Sequence, residues 1–176
     1  MMMKMLEAGG MEPVVDNIRK ADEDNPNGYY EFERVKKIKS DTSWLDETRG
    51  KVFKMVSMLL FDLPRGHKYK VIFMKRNIAE MLSSQRRMLE RKGEVPKAGS
   101  DEELTRIYQK HLAEIERWLA DQEGVEVLYV SYNEVLQDPR PYVQQIHEFL
   151  GDPLDVENMV RVVDQSLYRT DADPED

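Results

Sequence analysis

"VIFMKRNIAEMLSSQ", residues 71–85, sets a short apolar run against two basic residues and follows it with a helical pattern. Val71 to Met74 are β-branched, aromatic or bulky and are bounded by polar residues, as buried strands are. Asn77, with Glu80 three residues on, has the spacing of a helix N-cap and its capping-box partner. The spacing predicts a strand over 71–75 and a helix that starts directly after Arg76. At about 100° per residue, Ile78, Met81, Leu82, Gln85, Met88 and Leu89 share one helix face, and Ser84 borders it. Ligands of open parallel sheets bind at the carboxyl ends of strands, where the following helices present their amino ends. Arg76 stands at such an end. Arg76 and Ser84 can therefore flank one anion, the first through a charged donor fork and the second through a hydroxyl. A solvated edge arginine and an ordinary mid-helix serine are the alternative that the spacing leaves open.

Outward from this stretch, "VFKMVS" (52–57) and "VEVLYV" (125–130) also read as buried strands, with "MLLFDLP" (58–64) crossing between the first of them and 71–75. Residues 100–122 predict a helix: Ser100 and Glu103 form a capping box, and Leu104, Ile107, Tyr108, Leu112, Ile115, Trp118 and Leu119 make one apolar stripe. Asp138 and Pro139 supply an N-cap and a first-turn proline for a helix ending at Gly151, and a last helix follows Asp155. Near the amino end a helix over residues 1–8 stops at Gly9-Gly10, and Pro13 to Val15 is extended. A polar, turn-rich stretch leads into helices over "YYEFERVKKI" (29–38) and around "WLDETRG" (44–50). Strands alternating with helices predict one α/β domain over residues 1–170, a three-layer parallel sheet with helices on both faces. The acidic tail 171–176 is expected to be disordered.

The composition narrows the function. With 26 basic and 34 acidic residues and a net charge of −8, generic binding to a nucleic acid polymer is not expected, so any anion site must be local. There is no cysteine, and His67, His111 and His147 lie far apart in the chain, which argues against a metal site. No apolar run is long enough to cross a bilayer and the start does not look like a secretory signal, so the expected setting is cytoplasmic with no membrane partner.

The Arg76/Ser84 element resembles the second fingerprint of the nucleotide-dependent sulfotransferases, in which a strand, an arginine closing it and a serine eight residues later hold a 3′-phosphate. The donor there is 3′-phosphoadenosine 5′-phosphosulfate (PAPS). "SYNEVLQDPRPYVQQIHEFLG", residues 131–151, is similar to the family's Tyr-Glu-Asp-Leu, Asp-Pro and Phe-Leu-Gly segment, with Tyr132 at the tyrosine near the adenosine. "FKMVSMLLFDLP" is similar to the strand carrying Lys-Thr-His-Leu-Pro in animal cytosolic members, with Lys54 at the lysine. The opening "MMMKMLEAGG" and "DEDNPNGYYEFE" look most like bacterial members. The resemblance implies a P-loop-kinase-like fold, PAPS as donor with no metal, and a small-molecule or glycan acceptor carrying a hydroxyl or amine. It also implies Arg76, Ser84, Tyr132 and Arg169 as donor-binding residues, Lys54 beside the transferring group, and Glu31, with Glu33 as the lesser choice, as the base.

Two departures accompany the resemblance. The histidine of Lys-Thr-His has Val56 as its counterpart. The family's first fingerprint, a strand and P-loop-like turn that cradle the 5′-phosphosulfate, precedes a helix resembling "MMKMLEAGG", and the sequence begins at that helix. The resemblance implies that this strand occupies the centre of the sheet, between 52–57 and 71–75. Direct closure of the two halves, a strand from another chain, and a natural start further upstream are the possible outcomes, and the last is the expectation. The alternative function is a noncatalytic remnant of the fold acting as a nucleotide-binding or protein-interaction module. A small-molecule kinase fits less well, since it needs the glycine-rich cradle even more.

Overall fold

A computed structural model of the chain describes residues 1–16, 18–19, 28–91, 93, 100–151 and 153–164. Arg169 and the acidic tail 171–176 lie outside the described residues, as do parts of the segments 16–30 and 91–100. The centre is a pair of seven-residue strands, β1 (Tyr69–Lys75) and β2 (Val125–Ser131). They run parallel, in register from Tyr69 opposite Val125 to Lys75 opposite Ser131. A parallel pair needs a crossover, and helices α2 (Ile78–Arg91) and α3 (Asp101–Ala120) supply it. Helix α1 (Met2–Ala8) precedes the sheet, and α4 (Tyr132–Gln137), α5 (Pro139–Leu150) and α6 (Val156–Arg161) follow it.

Side-chain alternation divides the core in two. Tyr69, Val71 and Phe73 of β1, with Val125 and Val127 of β2, pack toward Trp44, Leu60, Ile115 and Leu119. Ile72, Met74, Leu128 and Val130 pack toward α1, α5 and α6 through Met5, Leu6, Val143, Ile146 and Met159. Because successive residues enter different clusters, both faces of each strand are apolar. This is why both strands read as continuous hydrophobic runs instead of alternating ones.

Caps fix the helix starts. The Asn77 side chain accepts from the Ala79 amide at 2.9 Å, Ser100 from Glu103 at 3.2 Å, Ser131 from Glu134 at 3.4 Å, and Asp155 from Asn158 at 2.9 Å. Such a cap contributes about 1 kcal/mol. The Glu80 amide also donates to Asn77 Oδ1, at 3.4 Å. The two Glu80 carboxylate oxygens accept from Asn133 Nδ2 at 3.0 Å each, which ties the start of α2 to α4. Gly151, at φ 72°, ends α5 in the left-handed conformation that glycine tolerates.

Four expectations need correction. Residues 52–57 are not a strand: Val52 makes one isolated parallel bridge with Pro13, and a 3-10 turn begins at Ser57. Phe53 instead packs edge-to-face against Trp44 with centroids 5.1 Å apart. The helix expected over 29–38 shrinks to a 3-10 turn, Glu33–Lys37. Tyr30, at φ 50°, cannot continue a right-handed helix, and the Asp16 carboxylate caps the turn by accepting from the Glu33 amide at 2.6 Å. The helix around 44–50 is likewise a 3-10 turn, Leu45–Thr48. The expected α/β arrangement around a parallel sheet is present, with two strands in that sheet among the described residues. The α3 stripe also overreaches: Ile115 and Leu119 are buried, but Ile107 is 57% exposed because the first half of the helix extends beyond the core. No described helix is long and apolar enough to cross a membrane.

Candidate functional site

β1 has β2 on one edge, and its other edge faces an open groove of about 1590 Å³. The whole of β1 and then Arg76 form one wall. Residues 48–55 form the facing wall, and parts of α1, α2 and α3 close the ends. The two walls do not close directly on each other.

The strand register builds one corner of this groove. Lys75 and Ser131 are the last paired residues, so the next residues, Arg76 and Tyr132, emerge side by side where the strands end. The Arg76 guanidinium lies 4.9 Å over the Tyr132 ring, a cation–π contact that orients an exposed arginine while its N–H groups remain available at the rim. Ser84, half-buried, stands on α2 about 9 Å along the axis from Ile78 and lines the same groove. Lys54 lines it from the facing wall, with its ammonium donating to the Tyr29 carbonyl. The residue as a whole is exposed, yet burial of the ammonium lowers its pKa, Arg19 and Lys36 add to the effect, and Glu31 opposes it. An anion bound beside Lys54 would offset that penalty.

Other groups grade the charge of the groove. Lys75 is neutralised by Glu116 at 2.7 Å and also lies 4.5 Å over the Tyr129 ring. The Tyr30 hydroxyl donates to Glu7, and burial followed by that bond pushes its pKa up to about 12, so it stays a neutral donor. Among the described residues no cluster of side chains could hold a metal ion.

The structure thus brings Arg76, Ser84, Tyr132 and Lys54 to one groove. Glu31 does not itself line the groove, although its charge reaches Lys54; its carboxylate pairs with Arg19 at 3.2 Å and Lys36 at 3.8 Å. Arg169 lies outside the described residues. One pair escaped sequence reasoning. His111 Nε2 and Ser57 Oγ are 2.8 Å apart, and both residues line the groove. They are 54 positions apart, so the contact exists only once α3 has packed on the 3-10 turn Ser57–Asp62. Nothing local marks it beyond the place of His111 beside Leu112 in the α3 stripe.

The family model described as "Sulfotransferase domain" matches residues 32–171. Mouse (Mus musculus) "Sulfotransferase 2B1" is 30% identical over 108 residues, which are 57% of this chain and 32% of that protein. The chain therefore spans about a third of the length of this curated relative. No solved structure gives a significant match.

Proposed function

Because this chain belongs to the sulfotransferase domain family, we propose that its groove binds PAPS and that the fold serves transfer of a sulfuryl group to an acceptor hydroxyl or amine. The single observation that carries this reading is the Arg76/Tyr132 stack at the ends of two parallel strands, in one groove with Ser84 and Lys54. Arg76 and Ser84 hold the 3′-phosphate, Tyr132 presents a face to the adenosine side, and Lys54 offsets charge on the transferring group. In-line transfer of this kind depends mainly on positioning and charge stabilisation, which is what fixed cations and hydroxyls provide. Arg169 joins as a second cation, and Glu31 as a candidate base, on the resemblance alone.

We read the groove along the free edge of β1 as the position of one further parallel strand, which would make the sheet a three-layer sulfotransferase sheet with a phosphosulfate-binding turn above it. The length of the groove, running beside every residue of β1, supports this. The acceptor is a small molecule or glycan, and the setting a bacterial cytoplasm. A second reading, a nucleotide-binding or interaction module without transfer, is favoured by the openness of that edge, since an unpaired strand edge invites another chain.

Calorimetry with 3′,5′-adenosine diphosphate tests the phosphate role. Removing a charge-assisted bond worth about 1.5–3 kcal/mol should weaken binding by roughly 10- to 100-fold in Arg76→Ala. Equal affinity of both proteins removes the role. Transfer of labelled sulfate by this chain to any acceptor excludes the second reading.

A further inference from the structure

We propose that His111, held by Ser57, is the base that takes the proton from the acceptor hydroxyl, an inference that rests on the sulfotransferase reading of the groove. Ser57 opens the 3-10 turn Ser57–Asp62, three residues after Lys54, so the hydroxyl and the ammonium belong to one short stretch of the groove wall. His111 reaches it from the middle of α3. Its ring is braced by the edge of Phe61 at 6.2 Å, and Phe61 is in turn braced by Trp118 at 5.5 Å. His111 Nε2 lies 2.8 Å from Ser57 Oγ, and both residues line the groove.

The surroundings suit proton transfer. Tyr108 and Glu116 face the groove from the same helix, and the Glu116 carboxylate is engaged with Lys75 at 2.7 Å. Lys75 directly precedes Arg76 in the chain, and Glu116 lies about 7.5 Å along the helix axis from His111. His111 thus lines the same groove as Lys54 and Arg76, the cations expected to hold the donor. Glu31 does not line the groove, and Arg19 and Lys36 occupy its carboxylate.

The step balances without any further reactant. The acceptor hydroxyl takes the place of Ser57 as donor to His111 Nε2, and its proton moves to that nitrogen. The freed oxygen pair forms the new O–S bond, and the S–O bond to the 5′-phosphate breaks with its electrons remaining on the phosphate. The imidazolium then returns its proton to water. Ser57 is a positioning residue that holds the ring until the acceptor arrives.

A purely structural role for the pair is separable from this one, because glutamine can keep a hydrogen bond to Ser57 but cannot act as a base. Labelled PAPS is supplied to the full chain with 2-naphthol, a primary aliphatic alcohol and glucose as acceptors, and 3′,5′-adenosine diphosphate affinity is measured in parallel. General-base removal is worth roughly 100-fold or more, so His111→Gln should lose at least that in kcat with KM for PAPS and nucleotide affinity unchanged. His111→Ala should regain part of the rate in added imidazole, and Ser57→Ala should lose only a few-fold. Full activity of His111→Gln overturns the proposal, as does a wild-type chain that binds the nucleotide but transfers to none of the acceptors. Loss of nucleotide binding by the wild type overturns the reading of the groove itself, a distinct result.

Discussion

The two walls of the groove are built by different physics. The β1 wall is a hydrogen-bonded ladder: its register is set by seven consecutive pairs with β2, and its functional corner, Arg76 with Tyr132, is the next pair along. The facing wall, residues 48–55, has one isolated bridge and is held by side chains. Trp44 stands between Phe32 and Phe53, with ring centroids at 5.3 and 5.1 Å. A ladder positions a residue from its place in the sequence, whereas a packed wall positions Lys54 only through partners distant in the chain.

The largest effect expected from this contrast falls on the packed wall. Trp44 is 1% exposed and donates from Nε1 to the Asp41 carbonyl at 2.9 Å. Trp44→Ala should cost about 3–5 kcal/mol, read as a fall in the urea midpoint with the slope unchanged. A loss below about 1 kcal/mol would mean that something other than the aromatic cluster holds that wall. Next comes the ladder corner: Tyr132→Leu removes the cation–π contact and should weaken 3′,5′-adenosine diphosphate binding by roughly 2- to 5-fold, at about 0.5–1 kcal/mol for an exposed pair. No change in affinity would show that Arg76 needs no support from the ring.

A smaller effect belongs to the start of α2. Asn77→Ala removes the cap accepting from Ala79 and should cost about 1 kcal/mol, with Asn77→Asp recovering most of it in thermal melts. The smallest concerns pH. Asp16 has its pKa lowered, first by the Glu33 amide and then by that of Ile18. A depressed carboxyl stabilises the fold above its unfolded value of about 3.9 and loses that contribution as pH falls through the lower folded value. Protease cleavage near the 3-10 turn Glu33–Lys37 should therefore rise in acid for the wild type, and Asp16→Asn should show the raised level already at neutral pH. Identical cleavage of both proteins across that range would remove the capping role.

The same division explains what could be read in advance. The caps at Asn77, Ser100 and Asp155 and the Gly151 stop follow from spacings of a few residues, as do the places of Arg76 just after β1 and of Ser84 on α2. The apolar runs 71–75 and 125–130 became the two strands because each found the other as a neighbour. "VFKMVS" has the same composition without a ladder partner, so it stayed extended and then turned at Ser57. "YYEFERVKKI" has helical spacing, but the left-handed Tyr30 and a cap from Asp16, 17 residues upstream of Glu33, decide its shape. The Glu31 ion pairs and the Ser57–His111 contact depend on tertiary packing in the same way, and no short-range pattern contains them.

The most direct measurement is the affinity of the wild-type chain for 3′,5′-adenosine diphosphate relative to 5′-adenosine monophosphate, repeated on Arg76→Ala and Ser84→Ala. If the groove corner holds a 3′-phosphate, the wild type should prefer the diphosphate by roughly 10- to 100-fold, and both substitutions should shrink that preference with little effect on the monophosphate. Equal affinity of the wild type for the two nucleotides would contradict it.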